Sequence, residues 1–265
     1  MASVRALILR TAGTNCDMET GHAFALAGAK PELIHINALI KEKSVLREFR
    51  ILALPGGFSY GDDIASGKIL ANELVNTLRD EIRDFVRRGG LVIGICNGFQ
   101  VLVKMGLLPD TSGNISGEVE ATLALNDSGR FESRWVYLKK CVKGKKECVW
   151  TKGLPDVIHI PVAHGEGKFI PRDRKVLSDL NDNGQIVFRY VDKSGAEGGY
   201  PHNPNGSIED IAGVSDPGGK ILGLMPHPER NFTFLQDPNW FRSQKIIKDA
   251  GVGLQIFKNG VNFFK

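Results

Sequence analysis

The chain has 265 residues, 42% of them hydrophobic and 24% charged, and its 34 basic and 30 acidic residues leave a net charge of +4. That is ordinary globular composition, long enough for one large α/β domain, with no dominant stripe of like charge that would suggest nucleic acid. No apolar run approaches the roughly 18 residues a membrane span needs, and the N-terminus lacks the apolar stretch of a secretion signal. Four cysteines, Cys16, Cys96, Cys141 and Cys148, are too few for a disulfide scaffold. They form no CxxC pair, so no metal site is expected, and the expected location is the reducing cytoplasm.

Arg5–Arg10 reads as a buried strand, followed by the loop 11–17, a helix over Met18–Ala27 and a terminating Gly28. Glu32–Ile36 and Ile51–Leu54 read as further strands. The segment from Gly67 to Arg88 carries Ile69, Leu70, Leu74, Leu78, Ile82 and Phe85 at helical spacing, which gives one apolar face. Gly89-Gly90 stops it and a strand begins at Leu91. This β–α–β–α–β order specifies parallel strands covered by helices. Beyond Leu108-Pro109 the pattern changes. Strands are expected at Glu118–Leu125 and Arg134–Cys141, joined by the turn Asn126–Gly129, then at Val157–Val162, Ile186–Val191 and Ile208–Val214. Asp216–Gly219 turns into Ile221–Met225 as a hairpin. A last helix is expected from about Trp240 to Phe257, with a break near Gly251–Gly253. The layout is a mixed sheet, a parallel half with an antiparallel extension, in a single domain spanning 1–265. Lys139, Lys140, Lys143, Lys145 and Lys146 form a local basic cluster, read as a solvated hairpin tip.

The stretch Leu91-Val92-Ile93-Gly94-Ile95-Cys96-Asn97-Gly98-Phe99-Gln100 concentrates the chemistry. A buried strand runs into Gly-x-Cys-x-Gly and then a helix over Phe99–Met105, the pattern of a nucleophile elbow with cysteine in place of serine. A thiol at a helix start is favoured as thiolate by the positive end of the helix dipole. Such a nucleophile needs a base and an orienting group. Met225-Pro226-His227-Pro228-Glu229 offers both. The prolines bias the residues before them to extended backbone, which would set His227 and Glu229 on one side of a rigid tongue. Pro55-Gly56-Gly57 ends a strand, and the Gly57 and Asn97 N–H groups are candidate oxyanion donors.

These residues resemble the class I, triad-type glutamine amidotransferases. The stretches Gly13–Asp17, Pro55–Asp62, Ala163–Gly167, Asn203–Ser207 and Met225–Arg230 are similar, in that order, to the glutaminase subunits of phosphoribosylformylglycinamidine synthase. The resemblance implies a three-layer α/β sandwich with a mixed, mainly parallel central sheet and a nucleophile elbow. It implies that Cys96 attacks the side-chain amide of L-glutamine, that His227 is base and then acid, and that Glu229 orients it. Gly57 and Asn97 match oxyanion donors, and Gln100 matches a residue that holds the glutamine. It further implies a separate synthetase subunit that receives the ammonia and uses ATP and Mg, with a small third subunit, and no cofactor in this chain. Cys16 is read as structural, near the site. The rival readings are another triad amidotransferase, a partner-free γ-glutamyl hydrolase, or a redox-sensing module on the same fold.

Overall fold

Apolar runs become strands where both faces can be covered. In this computed structural model, which describes residues 3–142, 147–242 and 250–265, that condition holds for the first half of the chain. In order come β1 (Arg5–Arg10), α1 (Asp17–Leu26), β2 (Lys30–His35), α2 (Ile36–Lys41), β3 (Ile51–Leu54), α3 (Lys68–Arg87), β4 (Leu91–Ile95) and α4 (Asn97–Lys104). The second half supplies β5 (Ala121–Leu125), β6 (Glu132–Lys140), β7 (Val157–His164), β8 (Glu166–Pro171), α5 (Arg174–Asp182), β9 (Ile186–Val191), β10 (Ile211–Ser215), β11 (Ile221–Leu224) and α6 (Val252–Asn262). One nine-stranded sheet has the order β2-β1-β3-β4-β11-β10-β9-β6-β7. Pairings from β2 through β11 are parallel, and those from β11 through β7 are antiparallel.

Burial follows the pairing type. β3, β4 and β11 are buried at every residue, as parallel strands sandwiched between helices must be. Towards the far edge, β7 alternates buried and half-buried residues, the period-2 signature of a strand with one wetter face. Helices α1 and α6 pack on one side of the sheet and α3 and α4 on the other, which gives the three layers. The face of α3 that meets the core is made of Leu70, Leu74, Leu78, Ile82 and Phe85, with Ala71 and Val86 beside them. No described helix is long and apolar enough to cross a membrane.

The structure departs from the sequence expectation in three places. The turn at Asn126 does not pair β5 with β6. β5 instead joins β8 in a separate two-stranded antiparallel sheet, and the Asn126 side chain bonds the backbone of Arg130 and His164. Elements α2, α5 and β8 have no counterpart in the sequence reading. The C-terminal helix is Val252–Asn262, preceded by a 3-10 turn at Trp240–Arg242; residues 243–249 lie outside the described residues. The lysine cluster lies on the connection between β6 and β7, which pair antiparallel as a hairpin. β6 ends at Lys140, which pairs with Glu147 at 3.2 Å, and the connection returns through a 3-10 turn with fully buried Trp150. Lys143, Lys145 and Lys146 lie outside the described residues.

Trp150 fixes α6. Its Nε1–H donates to the Lys220 carbonyl, and Asn259 Nδ2 of α6 donates to the Trp150 and Lys152 carbonyls. At the other end of α6 a Cβ on Gly253 would stand 2.2 Å from the Pro228 carbonyl oxygen. The C-terminal helix thus presses against the segment that carries His227 and Glu229.

Candidate active site

Four adjacent parallel strands, β1, β3, β4 and β11, deliver four loops to one edge of the sheet. These are 11–16, 55–63, the elbow at Cys96 and 225–230, the segments that the sequence marks by composition. In open α/β sheets ligands bind beyond the carboxyl ends of parallel strands, where these loops meet.

Cys96 sits between β4 and α4 with φ 52° and ψ −107°, a backbone that side-chain-bearing residues rarely adopt. The flanking glycines are required by closeness. A Cβ on Gly98 would lie 1.9 Å from the Leu54 carbonyl oxygen, and one on Gly94 would lie 2.7 Å from that of Gly98. The first turn of α4 therefore presses onto the ends of β3 and β4, and the elbow is held strained by that contact. Cys96 is 5% exposed, and its thiol lies 3.6 Å from the Ala163 carbonyl oxygen.

His227 and Glu229 are both buried, with Nδ1 of the imidazole 2.6 Å from Glu229 Oε1. Their backbone corrects the extended tongue expected from the prolines. His227 itself is non-helical, as a residue before proline should be, but Pro228–Arg230 is a 3-10 turn with proline at its start. The turn brings the Glu229 carboxylate back onto the imidazole. The His227 N–H donates to the Pro161 carbonyl at 2.8 Å, which ties the segment to β7. Glu229 takes Nδ1, and Nε2 is left buried without a hydrogen-bond partner.

The electrostatics of this imidazole follow from its neighbours. Burial pulls its pKa down, but the Glu229 carboxylate, Cys96 and Cys16 outweigh burial and hold it well above the usual histidine value. His164, at the end of β7, is the opposite case. Burial, with the like charge of His227 nearby, holds it down to about 3. Its tautomer follows from Asn126, whose Oδ1 accepts the Gly167 N–H at 3.1 Å while Nδ2 donates to two carbonyls. That amide orientation is fixed, so His164 Nδ1–H must donate to Oδ1, at 3.1 Å, and Nε2 carries a buried, unpartnered lone pair.

The candidate oxyanion donors and substrate holder sit around the same elbow. Gly57 has φ +139°, and a Cβ there would meet Asn15 N and the Gly13 carbonyl oxygen at 2.7 Å. Loop 55–63 is braced on loop 11–16 by Phe58 N–H to Gly13 O at 2.8 Å, Tyr60 N–H to Ala12 O at 2.8 Å and Cys16 N–H to Gly56 O at 3.2 Å. Asn97 is the first residue of α4, where an N–H has no carbonyl partner within the helix. Its side chain accepts from Ser59 N and donates to Asp62 and to Gln100 Oε1. Gln100 is buried and donates to the Glu166 carbonyl at 2.5 Å. Burial raises the Asp62 pKa. This chain of contacts locks the loop after β3, the elbow helix and the start of β8 together.

Two contributors, Arg230 and Asn126, escaped the sequence reading, while Cys16 stands near the site as expected. Its thiol, a ring nitrogen of His227 and a carboxylate oxygen of Glu229 lie within 4.8 Å of one another. Arg230 donates to Cys16 Sγ at 3.2 Å and to Glu19 at 3.2 Å; its adjacency to Glu229 was the available signal. Asn126 had no signal beyond its turn propensity, since His164 and Gly167, which it also bonds, are remote in sequence.

Comparisons with known proteins agree with this geometry. The CobB/CobQ-like glutamine amidotransferase domain family matches residues 3–264. Phosphoribosylformylglycinamidine synthase subunit PurQ of Dehalococcoides mccartyi is 48% identical over 264 residues, covering 99% of this chain and 98% of that protein. The subunit of the same name from Methanococcus maripaludis is 44% identical, covering 98% and 97%. A chain of the PurLQS structure from Thermotoga maritima superposes with a TM-score of 0.74 at 31% identity, over the full length of both chains. This chain accordingly belongs to the glutamine amidotransferases, in the PurQ family of phosphoribosylformylglycinamidine synthase subunits.

Proposed function

We propose that Cys96, His227 and Glu229 are the catalytic triad of a glutaminase whose ammonia is consumed by a synthetase partner. The observation that carries this reading is the His227 imidazole itself, with Nδ1 committed to Glu229 at 2.6 Å and Nε2 buried and free, beside a cysteine on a strained elbow. Nε2 takes the thiol proton as Cys96 Sγ attacks the amide carbon of L-glutamine. Glu229 holds the tautomer and stabilises the imidazolium. The negative oxygen of the tetrahedral intermediate is received by the Gly57 and Asn97 N–H groups. As the intermediate collapses, His227 returns its proton to the leaving nitrogen and ammonia departs, leaving a γ-glutamyl thioester. Water, deprotonated by the same Nε2, then cleaves the thioester to glutamate and regenerates the thiol.

Gln100 holds the elbow and the start of β8 in register for the bound glutamine. The whole chain, 1–265, acts as one amidotransferase domain, working in the cytoplasm. The partner uses ATP and Mg to activate formylglycinamide ribonucleotide for amination in purine biosynthesis, and a small third subunit completes the complex. Cys96→Ala tests the assignment. It should abolish glutamate release from glutamine while leaving circular dichroism and thermal midpoint close to wild type. Undiminished glutamate production in that variant, or its loss in Cys16→Ala alone, would refute it.

A further inference from the structure

A cavity of about 510 Å³ is bounded by α6 and the 3-10 turn Val149–Thr151, and none of its lining residues serves the reaction above. That is the size of a site for a small organic ligand, far more than a lone ion needs. Gln255, Asn259 and Asn262 line it from α6. They stand at i, i+4 and i+7, one face of the helix, in a row about 10 Å long at roughly 1.5 Å per residue. The middle of the row is already engaged. Asn259 Nδ2 gives its hydrogens to the Trp150 and Lys152 carbonyls, and its Oδ1 accepts from Gln255 Nε2 at 2.8 Å. The Asn262 amide is exposed and has no partner among the described residues, and the same is true of the Lys152 ammonium across the cavity. Phe263, 46% exposed, lines the cavity next to Asn262. The acid among the lining residues, Glu147, is offset by Lys140 at 3.2 Å.

An open carboxamide offers a donor beside an acceptor. That pair matches the amino and ring-nitrogen edge of adenine, whereas guanine presents two acceptors there. An exposed phenylalanine ring is a stacking platform for a base, and an unpaired ammonium is a point charge for a phosphate. We propose that this cavity binds an adenine nucleotide, with the base on Asn262 and Phe263 and the phosphate on Lys152, and that its occupancy slows the glutaminase through α6. The helix has no room to move inward. A Cβ on Gly260 would stand 2.4 Å from Trp150 Cζ3, and one on Gly251 would stand 2.2 Å from Asn231 Oδ1. With Gly253 already against Pro228, a ligand wedged beside the C-terminal half of α6 levers the helix outward. That draws its first turn away from Pro228–Arg230, the turn that sets Glu229 on His227. The binding stands on the cavity alone; the effect on turnover rests on the catalytic reading of His227 and Glu229.

Isothermal titration of the full chain with AMP, adenosine and GMP tests the binding. Wild type is compared with Lys152→Ala, Asn262→Ala and Phe263→Ala, all at exposed positions, with folding checked by circular dichroism. AMP should bind wild type at one site. Adenosine and GMP should each bind about tenfold or more weakly, since a charge-assisted phosphate contact and a bidentate base contact each carry roughly that factor. Lys152→Ala should lose the preference for AMP over adenosine, Asn262→Ala the preference for AMP over GMP, and Phe263→Ala should weaken all three. Glutamate release by the isolated chain should fall severalfold in wild type at saturating AMP. In Lys152→Ala it should match wild type without AMP and stay constant when AMP is added at that concentration. No heat of binding at millimolar AMP, or equal AMP affinity in wild type and all three variants, would overturn the site; equal binding of AMP and GMP to wild type would overturn the adenine assignment. Bound AMP with unchanged glutamate release would overturn the coupling. A Cys96→Ala protein that binds AMP but still hydrolyses glutamine would instead overturn the catalytic reading and leave the nucleotide site standing.

Discussion

Two buried histidines in one site are driven in opposite directions, and the difference lies in what each nitrogen touches. His227 has a carboxylate 2.6 Å from Nδ1, which stabilises the charged ring against burial. His164 has a neutral amide there and a like charge nearby, so its ring stays neutral. The pH consequences have opposite signs. The raised pKa of His227 contributes stability that is fully present below about 6.5 and is lost as pH rises through the elevated value. The depressed pKa of His164 makes the unfolded chain the better proton binder, so its contribution is lost as pH falls from 6.5 towards about 3. His164→Gln should therefore flatten the decline of the urea midpoint between pH 7 and pH 5; an unchanged decline would show that other groups govern acid stability. Glu229→Gln removes the carboxylate that holds His227 up. It should lower the imidazole pKa read by NMR titration and cut glutaminase turnover by about 10²- to 10⁴-fold, the span of general acid–base contributions.

At the scale of elements, the elbow depends on a backbone contact that sequence pattern only hints at. The strained angles belong to Cys96, as an elbow requires, and Gly98 is small because Leu54 is in the way. Gly98→Ala should cost roughly 3 kcal/mol or more by urea denaturation, at or beyond the upper end of ordinary overpacking. Gly89→Ala is the control. Its φ is +86° but nothing lies within 4 Å of the added methyl, so it should cost only about 1–2 kcal/mol. The same distinction explains what was legible in the chain. Periodicity placed α3 and the parallel strands because their partners are local or uniformly apolar. The elbow, His227 and Glu229 were legible because their residue types are chemically unusual. The β5–β8 pairing was not legible, because it joins segments some forty residues apart that local pattern cannot match. The 3-10 turn at Pro228–Arg230 was missed because proline restricts the residue before it and leaves the backbone after it free to turn.

For the whole molecule, the active edge draws on four loops and leans on the C-terminal helix, and its product serves another chain. The isolated protein should release glutamate slowly, and addition of the synthetase partner should raise that rate severalfold or more in a coupled glutamate assay. Full turnover without the partner would favour an independent hydrolase. The nine-stranded order has a further consequence in time. Strand β11, which leads into the His227 segment, is among the last made, yet it lies in the middle of the sheet between β4 and β10. Until it emerges from the ribosome, the edge of β4 stays open and Cys96 has no imidazole beside it. Such long-range parallel pairing is slow to form and exposes an adhesive strand edge while it waits. Synthesis therefore passes through a stage at which the chain is most prone to misassembly and unable to waste glutamine.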